Sequence, residues 1–179
     1  MNFRFLLLAP FALLSACDPI SEDQCKSGDW SGIGLSDGKR GKPASLIDEY
    51  AEICGEFGIS PARTTYLAAR TQGLKTYCTP QSAYQVGRRG SDLSPVCSPE
   101  QVANMQAAFN HGKTYHEIAS IIEALGDEID ELQSVLKAFP NTPSEEEAER
   151  IARINRRIER LEDRVFDLER DRRAYARWP

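Results

Sequence analysis

Apolar residues in the second half of the chain recur in alternating steps of four and three. Ile118, Ile122, Leu125, Ile129, Leu132, Leu136 and Phe139 form one series. Ile151, Ile154, Ile158, Leu161, Val165 and Leu168 form another, which continues through Arg172 to Tyr175. Such alternation is a heptad seam. Between the two series, Pro140-Asn141-Thr142-Pro143 stops one helix and caps the next. Two heptad helices joined by so short a turn predict a long antiparallel coiled-coil helical hairpin over residues 111–179. The second helix opens with Glu145, Glu146, Glu147 and Glu149 and closes with Arg170, Arg172, Arg173 and Arg177, which complements the helix dipole at both ends.

Upstream, glycine interrupts the pattern. The stretch Gly28 to Gly38 (GDWSGIGLSDG) is too glycine-rich to predict a helix and reads as irregular loop, or a small hairpin with Asp37-Gly38 in its turn. A helix is expected over Pro43 to Cys54, where Leu46, Ile47, Tyr50, Ile53 and Phe57 recur at helical spacing before Gly55 and Gly58. The next is expected from Pro61 to Gln72, stopped by Gly73, and a short one from Pro80 to about Gly87. Helix starts share one signature: Ser60-Pro61, Thr79-Pro80, Ser98-Pro99 and Thr142-Pro143 each set a capping hydroxyl before a proline. Ser98 with Gln101 and Thr142 with Glu145 complete capping boxes. The apolar phase of Val102, Met105 and Phe109 does not continue into Ile118, so a break or kink is expected over Asn110 to Lys113, at Gly112. The fold class is all-α, with a small cysteine-containing helical domain over 29–110 followed by the hairpin.

The N-terminus carries a processing signal. Arg4 precedes a ten-residue apolar stretch, Phe5 to Leu14, and Leu14-Ser15-Ala16-Cys17 follows. That stretch is too short to cross a bilayer as a helix, and it reads as a signal-peptide core. The residues before Cys17 resemble a bacterial lipobox, which implies cleavage of residues 1–16 and acylation of Cys17. Such an anchor attaches the protein to a membrane and turns it toward the periplasm, with residues 17–28 as a tether. Asp18 leans toward inner-membrane retention, and Pro19 beside it leaves the choice of membrane open.

Composition narrows the partners. With 22 basic and 27 acidic residues, the formal charge of −5 argues against a general polyanion binder, and no nucleic acid is expected. Of the 5 cysteines, Cys25, Cys54, Cys78 and Cys97 remain once Cys17 is set aside, an even number that suggests two disulfides in an exported protein. Zinc is the rival, but the gaps of 29, 24 and 19 residues contain no C-x-x-C, and His111 and His116 do not share a helix face. No metal is expected. If helix 43–54 runs antiparallel to helix 61–72, Cys54 and Cys78 lie at opposite ends, and the pairing expected is Cys25–Cys78 with Cys54–Cys97.

Asp29-Trp30, Gly32, Gly34, Asp37-Gly38, Gly41, Cys54, Tyr66, Gly73-Leu74, Tyr77-Cys78-Thr79-Pro80, Gly87-Arg88 and Cys97 resemble the domain of unknown function 2799 family over about residues 25–97. The resemblance implies a short proteobacterial envelope protein, often a lipoprotein, and brings no reaction with it. Where that family often has a Tyr ahead of its last cysteine, this chain has Leu93-Ser94-Pro95-Val96.

Trp30, Asp37, Tyr66, Arg70, Tyr77 and Arg88 are the aromatic and charged members of this motif. As a shared pocket they would grip a sugar or cell-wall fragment, with the arginines contacting a carboxylate or phosphate. As structure, the aromatics fill a small core, Asp37 sits in a turn and the arginines are solvated. The structural account is favoured. No serine or metal hydrolase signature, phosphate loop or dinucleotide-binding glycine pattern is present, so no catalytic residue and no cofactor are assigned. The function expected is a noncatalytic cell-envelope binding or scaffold module. Its partner would be an envelope protein, the cell wall or a second copy, engaged through the coiled coil. The alternative is a cell-wall-directed enzyme or enzyme regulator using the Trp30/Asp37/Arg70 neighbourhood.

Overall fold

The computed structural model describes residues 19–179, so the predicted signal peptide and Cys17 lie outside the described residues. Every regular element among the described residues is helical, in the order α1 (Glu22–Ser27), α2 (Trp30–Lys39), α3 (Leu46–Gly55), α4 (Arg63–Tyr77), α5 (Pro80–Arg88), α6 (Pro99–Lys137) and α7 (Glu145–Ala174). Several helix starts are written in local chemistry. The Thr79 hydroxyl accepts from the Ser82 amide, and Ser98 forms the expected capping box with Gln101. The second expected box is displaced by two residues: α7 is capped by Ser144 with Glu147. Ser60 does not cap α4, which begins at Arg63 after Ala62.

The glycine-rich stretch is a helix, contrary to the loop expected, with Asp29 capping it through the Gly32 amide at 2.8 Å. Its glycines form a contact face. A Cβ added at Gly34 would fall on the Tyr66 carbonyl oxygen, and one at Gly38 on that of Arg70 and 2.9 Å from the Gly73 Cα. Backbones of α2 and α4 therefore touch, and this close packing offsets the roughly 1 kcal/mol that each interior glycine costs a helix. Gly73, expected to end α4, belongs to the same contact, and α4 runs on to Tyr77. The device recurs between α5 and α6: a Cβ on Gly87 would strike the Phe109 carbonyl oxygen, and one on Gly112 that of Tyr84.

Gly112 consequently marks no break, and α6 runs uninterrupted. Its apolar phase shifts because it packs first on α5 through Met105, Ala108 and Gly112 and then on α7. Helix α7 returns antiparallel along α6, with the Arg157 Nη2 2.7 Å from Glu128 Oε1 and the Tyr84 hydroxyl donating to the Tyr175 carbonyl at 2.9 Å. Along this contact Ile158, Leu161 and Leu168 are buried. The facing residues Ile118, Ile122, Leu125, Ile129, Leu132 and Leu136 are half-buried.

The disulfides join Cys25 to Cys54 and Cys78 to Cys97, with Cα separations of 5.5 and 5.6 Å, and this corrects the expected pairing. The expectation took α3 as the partner of α4. Helix α2 occupies that face instead. Of the segment expected to be a tether, the described part, residues 19–28, is docked: α1 carries Cys25 into the core, and Ile20 is buried beside Trp30, Ile47, Tyr50 and Tyr66. A second cluster gathers Tyr77, Ala83, Tyr84, Val86, Met105 and Ala108.

Candidate functional site

Helical spacing on α2 puts Gly34, Asp37 and Gly38 on the face that meets α4, so the Asp37 side chain enters the interior and is 0% exposed. Its Oδ2 accepts hydrogen bonds from the hydroxyls of Tyr50 and Tyr66, each at 2.9 Å. Its Oδ1 accepts from Arg40 Nη2 at 2.7 Å. The two tyrosine rings meet edge to face at 5.9 Å. Burial, with the hydrogen bond to Asp37, pushes both phenols well above their ordinary range. A buried carboxylate with three donors is a satisfied joint between α2, α3 and α4 rather than a group open to a substrate. The turn position expected for Asp37 is thus corrected to a helical one.

The other residues singled out in the sequence go to different places. Trp30 packs in the first core cluster. Arg70 is 8% exposed and donates from Nε at 2.8 Å and Nη2 at 2.5 Å to the Lys42 carbonyl, which pins the segment after α2. This side chain is therefore buried and paired, where the structural account had it solvated. Tyr77 reaches the second cluster and its hydroxyl accepts from the Ser94 amide at 2.9 Å. Arg88 lies 4.4 Å from the Tyr115 ring centroid, and its Nη2 is 3.3 Å from that hydroxyl. This hydrogen bond lowers the Tyr115 phenol below its ordinary range. Of the six, Asp37 and Tyr66 are in direct hydrogen-bond contact.

Beside the Asp37 joint lies an open cleft of about 340 Å³. Lys39 and Arg40 enter it from the end of α2, and Ser82 and Arg89 from α5. Ser91, Asp92 and Ser94 close it from the connection to α6, with Tyr77 and Val86 behind. Lys39 and Arg89 form no ion pair among the described residues, while Arg40 is held on one side by Asp37 and keeps 61% of its side chain exposed. The sequence reading missed Lys39, Arg40 and Arg89. A local signal marks them: two helices end in a dibasic pair followed by glycine, Lys39-Arg40-Gly41 and Arg88-Arg89-Gly90. Both glycines have positive φ, 69° and 72°, so the chain turns sharply just after each basic pair and leaves the pair at the helix end. Among the described residues no cluster of three His, Cys, Asp or Glu side chains is placed to hold a metal ion.

A family model described as "Protein of unknown function (DUF2799)" matches residues 29–114, the span from the start of α2 into α6 that contains the Asp37 joint and every residue of the cleft. No curated protein and no solved structure matches the chain significantly.

Proposed function

Since the chain belongs to the DUF2799 family, whose description names no activity, we propose from its own geometry that it is a noncatalytic cell-envelope lipoprotein that acts as a binding or scaffold module. The observation that carries this reading is the cleft itself, which sets three cations and three serine side chains on a unit braced by two disulfides. Rigid presentation of convergent polar groups suits recognition. The lipobox ending in Cys17 supplies the anchor, and the antiparallel α6–α7 pair, read as a coiled coil, supplies an arm. The rival enzymatic reading needs Asp37 to reach a substrate, and that carboxylate has no exposed surface.

Photo-crosslinking residues placed singly at exposed Ser91, on the cleft, and at exposed Ile121, on α6, test the proposal in intact cells. The full chain should yield an adduct with an envelope protein or cell-wall component from at least one position. No adduct from either, or adducts with cytoplasmic proteins alone, overturns the reading.

A further inference from the structure

The cations of the cleft stand where helix dipoles favour them, at the C-termini of α2 and α5. That accounts for each basic pair alone but not for their convergence. Two positively charged helix ends facing one space repel; Asp92 offsets one charge and Asp37 pairs with Arg40, which leaves one net positive charge of the three. An anion bound between them relieves the repulsion. The remaining lining points the same way, because the hydroxyls of Ser82, Ser91 and Ser94 are committed to no hydrogen bond among the described residues. Hydroxyls around a cationic centre complement a ligand that has its own hydroxyls beside the charge. The volume, about 340 Å³, is at the small end of ligand sites, which limits the occupant to about one sugar ring with its substituent.

Resting on the binding reading above, we infer that the cleft between the ends of α2 and α5 is a site for a small hydroxylated oxyanion, a saccharide bearing a phosphate or carboxylate, with Arg40 as its anchoring cation. Asp37 is the positioning residue. By holding Nη2 of Arg40 from inside the core, it tethers the guanidinium at one nitrogen and leaves its other N–H groups to grip ligand oxygens. Lys39 and Arg89 add charge from either side without a described ion-pair partner to release.

Calorimetric titration of the full chain with four probes tests this: inorganic phosphate, glucosamine 6-phosphate, N-acetylmuramic acid and uncharged N-acetylglucosamine. At least one of the two charged sugars should bind more tightly than phosphate alone, the neutral sugar should not register, and the better charged sugar identifies the oxyanion. Arg40→Gln should weaken binding about 10-fold and Arg40→Lys less, since a lysine retains the charge but not the fork. Because Arg40→Gln also disturbs a buried carboxylate, the deciding variant is Lys39→Gln/Arg89→Gln, which touches no described ion pair. It should weaken binding several-fold while lowering the melting temperature by no more than a few degrees, the share of the helix-dipole contacts it removes. Arg160→Gln, on exposed α7 surface, should bind as the parent does. Equal affinity for charged and neutral sugars, undiminished binding by the double variant, or binding to anionic lipid vesicles with none to either soluble sugar overturns the assignment. A Ser91 adduct in cells with no oxyanion binding overturns this inference and leaves the envelope-binding reading standing. Oxyanion binding with no adduct does the reverse.

Discussion

The hydroxyl of Tyr66 on α4 donates a 2.9 Å hydrogen bond to the carboxylate of Asp37 on α2, across a contact where the backbones of the two helices touch. Tyr50 on α3 makes the same bond to the same oxygen. Three helices therefore meet on one acid, and changes at any of the three should show as stability.

Tyr50→Phe and Tyr66→Phe should each cost about 1.5–3 kcal/mol, as expected for a buried hydrogen bond to a charged acceptor. Asp37→Ala should cost more, because it strands two buried phenols at once. Urea unfolding measures all three, and parent-like stability in both phenylalanine variants would remove the joint from the account of the fold.

The same phenols predict an alkaline limit. Their folded pKa values are raised above the ordinary 10.0. The folded state thus holds the phenolic protons more tightly than the unfolded state, and this stabilisation is fully present below about pH 10 and falls as pH rises beyond it. Unfolding free energy should decline above that pH, and the decline should be shallower in the Tyr50→Phe/Tyr66→Phe double variant.

Glycine to alanine exchanges should separate contact glycines from incidental ones. Gly34→Ala and Gly38→Ala force the α2 backbone off α4 and should each cost about 1–3 kcal/mol, the cost of overpacking. Gly126→Ala, within α6 and with nothing within 4 Å of its Cβ, should instead stabilise by up to about 1 kcal/mol. Thermal melts of the three variants check the sign of each.

Peptide mapping without reductant should recover Cys25–Cys54 and Cys78–Cys97, which close loops of 29 and 19 residues. Cys25→Ser/Cys54→Ser and Cys78→Ser/Cys97→Ser should each lose about 3–4 kcal/mol on the chain-entropy account.

Truncation after Ala174 removes the Tyr175 carbonyl that accepts from Tyr84 and the Arg177 carbonyl 3.0 Å from His111 Nε2, together with the Tyr175 and Trp178 rings packed on His111. Hydrogen exchange around Tyr84 and His111 should speed up in the shortened chain while α2 and α4 remain protected.

The long helices were legible because their signals are local. Ser98 with Gln101 makes its capping box within one turn, and the seams from Ile118 to Leu136 and from Ile151 to Leu168 repeat without reference to anything distant. Helix α2 was not legible, since Gly34 and Gly38 weaken a helix by local propensity and acquire their use only when Tyr66, Arg70 and Gly73 lie opposite. The motif residues were found, yet their roles were not, because spacing does not say whether an arginine faces water or, like Arg70, the Lys42 carbonyl.

Sequence alone thus determined that this is a helical protein with a long terminal helix pair and four cysteines suited to two disulfides. Tertiary structure decided which cysteines pair, that the glycine stretch is a helix, that Asp37 is a sealed joint, and that two basic helix ends share one cleft. The division follows the range of the interactions. Caps and heptads act over a turn or two of chain, whereas backbone contact, disulfide geometry and the convergence of Arg40 with Arg89 exist only once distant segments have been brought together.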